Sequence, residues 1–260
     1  MFARFTHAIV RPPAANFADG LTTVDLGRPN VDLALAQHAD YCDALVRNGC
    51  ELITLPADDH FPDSTFVEDT ALTLPGVGAI LTRPGAESRA GEVDSIRPEI
   101  ARVFPSLSEI VAPGTLDAGD VCETEYDVFI GISERTNAEG AHQLAQWLAA
   151  HGRPSSIVDI RDTPGILHLK SGVTALGNGR LLAITALVSN LAFRNYDMVC
   201  VPAGEEYAAN CVRVNDVVFL AEGYPHTRAM LRGLGYKLEM LDVHEFEKMD
   251  GGLSCLSLRF

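Results

Sequence analysis

A cysteine close to the end of the chain has the surroundings expected of a nucleophile. Cys255 follows Gly251 and Gly252, which let the backbone turn sharply, and it precedes a run that alternates apolar and small residues. Such alternation is typical of a short strand, so the pattern predicts that Cys255 lies where a loop enters a sheet. A free cysteine is more often a small buried hydrophobe than a nucleophile, and Cys255 alone therefore does not identify an enzyme.

Two other side chains supply the groups that a cysteine nucleophile needs. A thiol requires a base or proton shuttle, and an imidazole requires an acceptor that fixes its tautomer. His168 and Asp117 have these two chemical types. Their alternative roles are a core histidine bonded to the backbone and an aspartate that shapes a turn. We predict that Cys255, His168 and Asp117 act as nucleophile, acid/base and orienting group.

Three carboxylates form another candidate cluster. Asp63, Glu68 and Asp69 are costly to bury without partners, so they are either solvated loop charges or the wall of a pocket for a cation. The chain has 20 Lys and Arg against 35 Asp and Glu, and its net charge of -15 favours the cation pocket. The same charge has the wrong sign for a protein that binds the phosphate backbone of a nucleic acid.

The elements that would position these residues repeat along the chain. Hairpin patterns with turn-forming residues at their centres span 70–82, 120–132, 171–185 and 211–221. They lie roughly 40 to 50 residues apart, a spacing typical of repeat architectures. Residues 255–260 are half of a fifth pattern, for which residues 6–11 could supply the partner strand.

Helix and strand patterns follow the hairpins. The sequence predicts helices over 32–48 and 227–234, and a third helix that begins after Thr136 or Asn137 and stops at Gly152. Strands are predicted at 50–55, 157–160 and 237–241, whereas 187–195 has only a weak helical pattern.

Five hairpin-helix-strand units predict an α/β propeller of five blades. The ring would be closed by the two termini, and residues 1–260 would form a single domain without a linker. In such a ring the ends of the repeats converge on the axis, and the polar clusters described above stand at those ends. The architecture therefore predicts that these clusters form one site.

Composition excludes several classes of protein. Hydrophobic residues make up 47% and charged residues 21% of the chain, as in an ordinary globular protein. The six cysteines include no C-x-x-C pair and the histidines no H-E-x-x-H motif, so we expect neither a disulfide framework nor a metal site. The sequence starts with no signal-peptide pattern and has no apolar run of about 18 residues, so we expect a cytoplasmic protein that does not enter membranes.

Seven segments, taken in order, make the chain resemble the dimethylarginine dimethylaminohydrolases. That family belongs to the guanidino-group-modifying superfamily, whose members share a five-bladed α/β propeller called the pentein fold. The segments lie at 66–69, 82–89, 116–121, 135–137, 167–171, 208–211 and 250–255, and the resemblance runs over nearly the whole chain.

The resemblance implies a role for each matching residue. It makes Cys255 the nucleophile, His168 the acid/base and Asp117 its orienting partner, at a position where some relatives carry Glu. The implied substrate contacts are Asp63, Glu68 and Asp69 at the guanidinium, Arg89 and Arg135 at the α-carboxylate, and backbone groups of Leu21 and Met249 at the amino end. Leu21 lies in residues 12–28, a stretch that would suit a lid.

The resemblance also implies a reaction. The expected substrate is a small cationic guanidino amino acid, dimethyl- or monomethylarginine, which is hydrolysed to L-citrulline and a methylamine through a thiouronium on Cys255. No cofactor is expected, and a homodimer is an open alternative to a monomer. Two other functions stay open: an arginine deiminase or related guanidine hydrolase, which usually has extra length for a helical insertion, and a non-catalytic propeller that binds a partner.

Overall fold

The computed structural model describes residues 4–260, so the prediction about the start of the chain falls partly outside the described residues. The described residues form two compact units, one of residues 69–209 and the other of residues 4–68 together with 210–260. The single domain over 1–260 stays a prediction. Every helix among the described residues is too short or too polar to cross a membrane.

Seven α-helices and fifteen strands make up the regular structure of the described residues. The helices are α1 Val31–Arg47, α2 Glu92–Val103, α3 Ala138–Ala150, α4 Leu169–Gly172, α5 Thr185–Val188, α6 Pro225–Gly233 and α7 His244–Glu247. The strands are β1 His7–Val10, β2 Glu51–Thr54, β3 Ala71–Leu74, β4 Gly78–Leu81, β5 Leu107–Glu109, β6 Val121–Glu123, β7 Val128–Ile132, β8 Ser155–Asp159, β9 Val173–Gly177, β10 Arg180–Ala183, β11 Asp197–Cys200, β12 Val212–Val214, β13 Val217–Ala221, β14 Lys237–Leu241 and β15 Leu258–Arg259.

The strands form five three-stranded sheets of one topology. Their orders are β15-β1-β2, β3-β4-β5, β6-β7-β8, β9-β10-β11 and β12-β13-β14. In each sheet the middle strand pairs antiparallel with the first strand and parallel with the third. A parallel pair needs a crossover connection, and helical residues supply it in every repeat.

The unit of residues 69–209 contains three of the sheets. Its helix α3 begins at Asn137, whose side chain accepts a hydrogen bond from the Gly140 N–H, a common N-cap interaction. One face of α3 buries Ala141, Leu144 and Leu148 in a core that also includes residues of β3, β4, β6 and β7. The helix thereby fixes two neighbouring sheets and the loops at their ends.

The unit of residues 4–68 and 210–260 contains the other two sheets. The first and last strands pair there, with Ala8 opposite Arg259 and Ile9 opposite Leu258. The prediction that the termini complete a shared sheet is therefore confirmed. Three buried aromatic rings, those of Phe17, Phe66 and Phe246, pack against one another with centroids 5.5 to 6.3 Å apart.

Most predicted elements are present, and two differences are informative. All four predicted hairpins, the helices at 32–48, after 137 and at 227–234, and their following strands are present within a few residues of the predicted ends. Helix α2 was not predicted, because Pro98 in its interior weakens the helical pattern. Cys255 lies in a 3-10 turn over Ser254–Leu256, so the final strand begins later than predicted.

Candidate active site

His168 and Asp117 are brought together as predicted. His168 lies immediately before α4, and its ring Nε2 is 3.1 Å from Asp117 Oδ2. The other carboxylate oxygen of Asp117 accepts the Gly85 N–H at 2.8 Å. Both side chains are buried, Asp117 completely. Because each oxygen of Asp117 has a partner, the carboxylate holds the imidazole in one orientation.

A glycine sets the approach of a second carboxylate to the imidazole. Gly119 donates its N–H to Asp69 Oδ1 at 2.8 Å. A Cβ at Gly119 would lie 2.7 Å from that oxygen and 2.8 Å from His168 Nδ1, closer than real Cβ contacts. Only glycine therefore fits between Asp69 and His168.

Asp120 is a buried carboxylate to which the sequence analysis gave no role. Its Oδ1 accepts the Leu169 N–H at 2.9 Å, and its Oδ2 accepts hydroxyl hydrogens of Ser133 and Thr136, both at 2.6 Å. Asp120 thus ties the start of α4, next to His168, to the loop after β7. Burial raises the pKa of Asp120 to about 6, although His168 and its hydrogen bonds oppose the shift.

The carboxylates make His168 a strong base. Burial alone would lower the pKa of His168, but the charge of Asp69, the hydrogen bond to Asp117 and the charge of Asp120 raise it to about 9. Burial alone would raise the pKa of Asp69, but the charges of His168 and Arg89 hold it below its usual range. At neutral pH His168 is therefore an imidazolium beside the ionised Asp69.

Arg89 is buried in a chain of ion pairs. Its Nη1 donates to Asp69 Oδ2 at 2.7 Å, and its Nη2 donates to Glu92 Oε2 at 2.8 Å. Its Nε also donates to Glu92 Oε1, at 3.0 Å. The guanidinium thus fixes the side of Asp69 that faces away from Gly119, and Glu92 is a partner that the sequence analysis missed.

Arg135 has a different environment. It is half-buried, and its guanidinium makes no hydrogen bond or ion pair with any of the residues 4–260. Its backbone is fixed, because the Arg135 N–H donates to Ser133 Oγ at 3.0 Å and Gly85 packs directly against the Arg135 carbonyl. Arg135 therefore presents a charged group that is available to a ligand.

Cys255 is positioned by close packing of the backbone before it. The Cys255 N–H donates to the Gly252 carbonyl at 3.1 Å, and the residue is 8% exposed. A Cβ at Gly252 would lie 2.5 Å from Asn210 Cγ, and one at Gly251 would overlap the Phe66 ring. The two glycines are therefore required by these contacts, as well as by the turn.

A buried ion pair supports the turn that carries Cys255. Glu68 Oε2 accepts the Ser254 hydroxyl hydrogen at 2.8 Å, and Glu68 Oε1 accepts from Arg259 Nη2 at 3.0 Å. Arg259 Nη1 also donates to the Ser254 carbonyl at 3.1 Å. The charge of Glu68 is thus compensated within the protein, and Glu68 holds the residue beside the predicted nucleophile.

Asp63, Leu21 and Met249 lie together. Both oxygens of Asp63 accept the Leu21 N–H, at 3.1 and 3.2 Å. A Cβ at Gly20 would lie 3.2 Å from Met249 Cε and would overlap Asp63. Asp63 and Met249 are buried, whereas Leu21 is 39% exposed. The structure therefore groups three residues that the sequence analysis assigned to the two ends of a ligand.

The predicted residues divide between the two units. His168, Asp117, Asp69, Arg89 and Arg135 belong to residues 69–209. The remaining predicted residues, Cys255, Glu68, Asp63, Leu21 and Met249, belong to residues 4–68 and 210–260. The catalytic and binding roles of all ten stay predictions.

One cluster has donors of the type that metals bind. Single donor atoms of Asp69, Asp117 and His168 lie within 4.8 Å of one another. All four oxygens of the two aspartates already have partners in the protein, namely Gly119, Arg89, Gly85 and His168. A metal would have to replace these hydrogen bonds, so we assign the cluster to proton chemistry.

Comparison with known proteins identifies the family. No family model matches the chain. A dimethylarginine dimethylaminohydrolase of Pseudomonas aeruginosa is 44% identical over 257 residues, which are 98% of this chain and 100% of that protein. The chain belongs to the dimethylarginine dimethylaminohydrolase family.

Solved structures of the family agree with this assignment. A Cys-to-Ser mutant of the Pseudomonas aeruginosa enzyme complexed with citrulline has a TM-score of 0.95 at 43% identity, and the match covers 99% of this chain and 100% of that chain. A His-to-Gly adduct of a dimethylarginine dimethylaminohydrolase with S-methyl-L-thiocitrulline has a TM-score of 0.94 at 44% identity, covering 98% and 100%. The predictions of the family, the five-bladed α/β propeller and an amidinohydrolase of the dimethylargininase type are confirmed.

The sequence analysis assigned no role to five residues that support the predicted site. These are Asp120, Glu92, Asn210, Ser254 and Arg259. Asp120, Asn210 and Ser254 stand in the segments that carry the resemblance to the dimethylarginine dimethylaminohydrolases, so their position was a usable signal. Glu92 and Arg259 lie outside those segments, and only the folded structure pairs them with Arg89 and Glu68.

Proposed function

We propose that the chain hydrolyses asymmetric N-omega-methylated arginine, dimethyl or monomethyl, to L-citrulline and a methylamine. Membership of the dimethylarginine dimethylaminohydrolase family supports the reaction class. The observation that carries the proposal is the buried His168: against the effect of burial, the charge of Asp69, the hydrogen bond to Asp117 and the charge of Asp120 raise its pKa to about 9. A histidine in this state is protonated at neutral pH and can donate a proton to a departing amine.

The first half of the reaction uses Cys255 as the nucleophile. Its thiolate attacks the guanidinium carbon of the substrate and forms a carbon–sulfur bond. The carbon–nitrogen bond to the methylated nitrogen breaks, and His168 gives its proton to that nitrogen, so that a neutral amine leaves. A cationic thiouronium on Cys255 and a neutral imidazole remain.

The second half uses the neutral imidazole as a base. His168 takes a proton from a water molecule, whose oxygen attacks the thiouronium carbon. The carbon–sulfur bond then breaks, and citrulline leaves with release of one proton. Asp117 keeps the imidazole in place through both halves, since it accepts a hydrogen bond from one ring nitrogen. No cofactor takes part in this sequence.

The substrate contacts follow the charges of the side chains. Arg135, whose guanidinium has no protein partner within residues 4–260, pairs with the α-carboxylate, and Arg89 contributes to the same end. Asp63, Glu68 and Asp69 stabilise the guanidinium, and backbone groups of Leu21 and Met249 bind the amino end. The buried partners of Glu68 and Asp69, Arg259 and Arg89, limit how much charge these two carboxylates offer to the guanidinium.

The direct test is product analysis. The enzyme is incubated with asymmetric dimethylarginine, monomethylarginine or arginine, and citrulline and the released amine are measured. We expect citrulline with dimethylamine or methylamine from the methylated substrates and little product from arginine. Citrulline and ammonia from arginine alone would favour the deiminase. No product from any guanidine, together with no selective labelling of Cys255 by a thiol reagent, would favour a non-catalytic propeller.

We further infer the setting in which the enzyme works. We place the enzyme in the cytoplasm, and a net charge of -15 disfavours nucleic acid as a partner. The oligomeric state stays open between a monomer and a homodimer. Cell fractionation tests the location, which a secreted protein would contradict, and size-exclusion chromatography with light scattering decides between monomer and homodimer.

A further inference from the structure

The segment that contains Leu21 is held in an unusual way. Residues 21–28 are all exposed and have no helix or strand. Within residues 4–260, no backbone-to-backbone hydrogen bond involves residues 21–29. A segment with exposed side chains and no backbone pairing opens easily unless side chains elsewhere hold it.

Residues 21–23 are held by hydrogen bonds to side-chain and carbonyl oxygens of two other regions of the chain. Asp63 accepts the Leu21 N–H, as described above, and the Thr22 hydroxyl donates to the Lys248 carbonyl at 2.9 Å. Asp250 accepts twice from Thr23, from its N–H at 2.5 Å and from its hydroxyl at 3.1 Å. Three consecutive residues are therefore attached to Asp63 and to the stretch 248–250.

The other end of the segment is held more weakly. Arg28 Nη2 donates to Asp19 Oδ1 at 2.6 Å, but both side chains are more than half exposed. An exposed ion pair of this kind contributes little to stability. Beyond Arg28, the Asn30 N–H donates to Glu245 Oε2 at 2.7 Å at the start of α1. The contacts with Asp63 and the stretch 248–250 therefore hold the part of the segment that contains Leu21, residues 21–23.

Asp250 has a backbone conformation that suits this role. Its φ is +56°, in the left-handed region that few side chains other than Asn and Asp adopt readily. It directly follows Met249 and precedes the Gly251-Gly252 turn before Cys255. One residue thus links the turn of the predicted nucleophile to the segment that carries Leu21.

We propose that Asp250 is a positioning residue that fastens residues 21–23 through Thr23 and thereby places the Leu21 backbone at the amino end of the substrate. The inference deepens the proposed function and depends on it for the role of Leu21. Asp250 does not touch the substrate in this account. It lowers the free energy needed to order the segment, so its loss should weaken binding more than the chemical step.

Asp250→Gly is the principal variant, because glycine accepts the positive φ and removes both acceptors. We expect KM for dimethylarginine to rise about tenfold, the effect of losing hydrogen bonds to a charged group, while kcat stays within about twofold. Thr23→Val, which loses one of the two bonds, should raise KM about threefold. Thr23→Ser keeps both hydrogen bonds, so its KM should equal that of the wild-type enzyme.

A readout without substrate separates this contact from catalysis. Hydrogen–deuterium exchange of peptides covering 21–29 should become about tenfold faster in Asp250→Gly. Asn178→Gly is the matched control, since Asn178 also has a positive φ, of +57°, but lies in the β9–β10 turn. It should change neither KM nor exchange at 21–29.

Three results would contradict the inference, in whole or in part. If the exchange rate at 21–29 is the same in Asp250→Gly as in the wild type, Asp250 does not hold the segment. Faster exchange with an unchanged KM would remove its role in substrate binding. If the wild-type enzyme releases no citrulline, the proposed function and the role of Leu21 both fail, while faster exchange in Asp250→Gly still supports the contact with Thr23.

Discussion

The surroundings of His168 and those of Cys255 are organised by different forces. Around His168, three buried aspartates, Asp69, Asp117 and Asp120, act mainly through charge and raise the pKa of the imidazole to about 9. Around Cys255, the buried charges form a matched pair, and close packing sets the backbone. Charge thus tunes the predicted proton donor, whereas packing positions the predicted nucleophile.

The difference has a consequence for substitutions. Changes near His168 should alter how activity depends on pH and on protonation, with the fold retained. Changes near Cys255 should alter stability first, because the turn from Gly251 to Cys255 depends on contacts with Phe66 and Asn210 that leave no free space. The predictions below test this contrast.

The largest expected effect is on catalysis by His168→Gly. Loss of the proton donor should lower kcat by about 10³-fold, within the range for general acid–base catalysis. Circular dichroism should be unchanged, and calorimetry should still detect substrate binding. His60→Gly, at an exposed position, is the control and should retain full activity. More than a tenth of wild-type turnover in His168→Gly would contradict the assigned role.

Arg259→Ala should have its main effect on stability. Removing the guanidinium leaves Glu68 buried without its partner, which should lower the free energy of unfolding by about 3–5 kcal/mol. Urea denaturation measures it, and the double variant Arg259→Ala with Glu68→Gln should recover part of the loss. Arg47→Ala, which breaks the exposed pair with Glu239, should change the free energy of unfolding very little. Equal losses at Arg259 and Arg47 would refute the structural role.

Arg135→Ala should affect mainly substrate binding, whereas Arg89→Ala should also affect stability. Arg135→Ala should raise KM for dimethylarginine about 100-fold with little loss of stability, because its guanidinium has no partner within residues 4–260. Arg89→Ala should destabilise the fold, because Asp69 and Glu92 lose their shared partner.

A decarboxylated analogue of dimethylarginine sharpens the comparison. The analogue lacks the carboxylate that Arg135 is proposed to bind, so its KM should be nearly the same in wild type and Arg135→Ala. An equal rise in KM for both substrates would show that Arg135 does not bind the carboxylate.

The smallest expected effect is a shift of a pH profile. Since His168 must be protonated to donate, kcat/KM should fall as the pH rises through about 9. Asp117→Asn removes a negative charge that favours the imidazolium, so the alkaline limb should move down by about one pH unit. If the alkaline limb of the kcat/KM profile does not move, His168 is not the group whose titration produces it.

The same pKa predicts how stability depends on pH. The folded pKa of about 9 lies above the usual 6.5 of a histidine, so folding binds an extra proton between these values. The stabilisation is complete below pH 6.5 and is lost as the pH rises through 9. Urea unfolding of wild type should show this loss, and the His168→Gly variant should show less of it.

Local signals allowed much of the fold to be predicted from the sequence. The hairpin turn Gly177-Asn178-Gly179 has residues that accept positive φ, and Asn137 is a typical helix cap. Both depend on neighbours close in sequence. Helix α2 was missed because Pro98 in its interior disrupts the helical sequence pattern. Tertiary packing of the buried Val93 and Ile96 nevertheless stabilises the helix.

The predicted site was incomplete because its supporting contacts are long-range. Glu68 and Arg259 are 191 positions apart, and Asp250 is 227 positions from Thr23. Neither pairing produces a local pattern. Cys255, His168 and Asp117 were identified by chemical type and by resemblance, whereas the partners that set their charge and position emerge only in the folded chain.

The central claim is that Cys255 forms a covalent bond to the guanidinium carbon during turnover. Enzyme mixed with dimethylarginine is quenched in acid within milliseconds to seconds and examined by mass spectrometry, with Cys255→Ser as control. We predict a transient added mass equal to that of the substrate minus dimethylamine, located on the peptide that contains Cys255 and absent from the control. Steady citrulline formation with no adduct at any quench time, or with the adduct on another residue, would contradict the account.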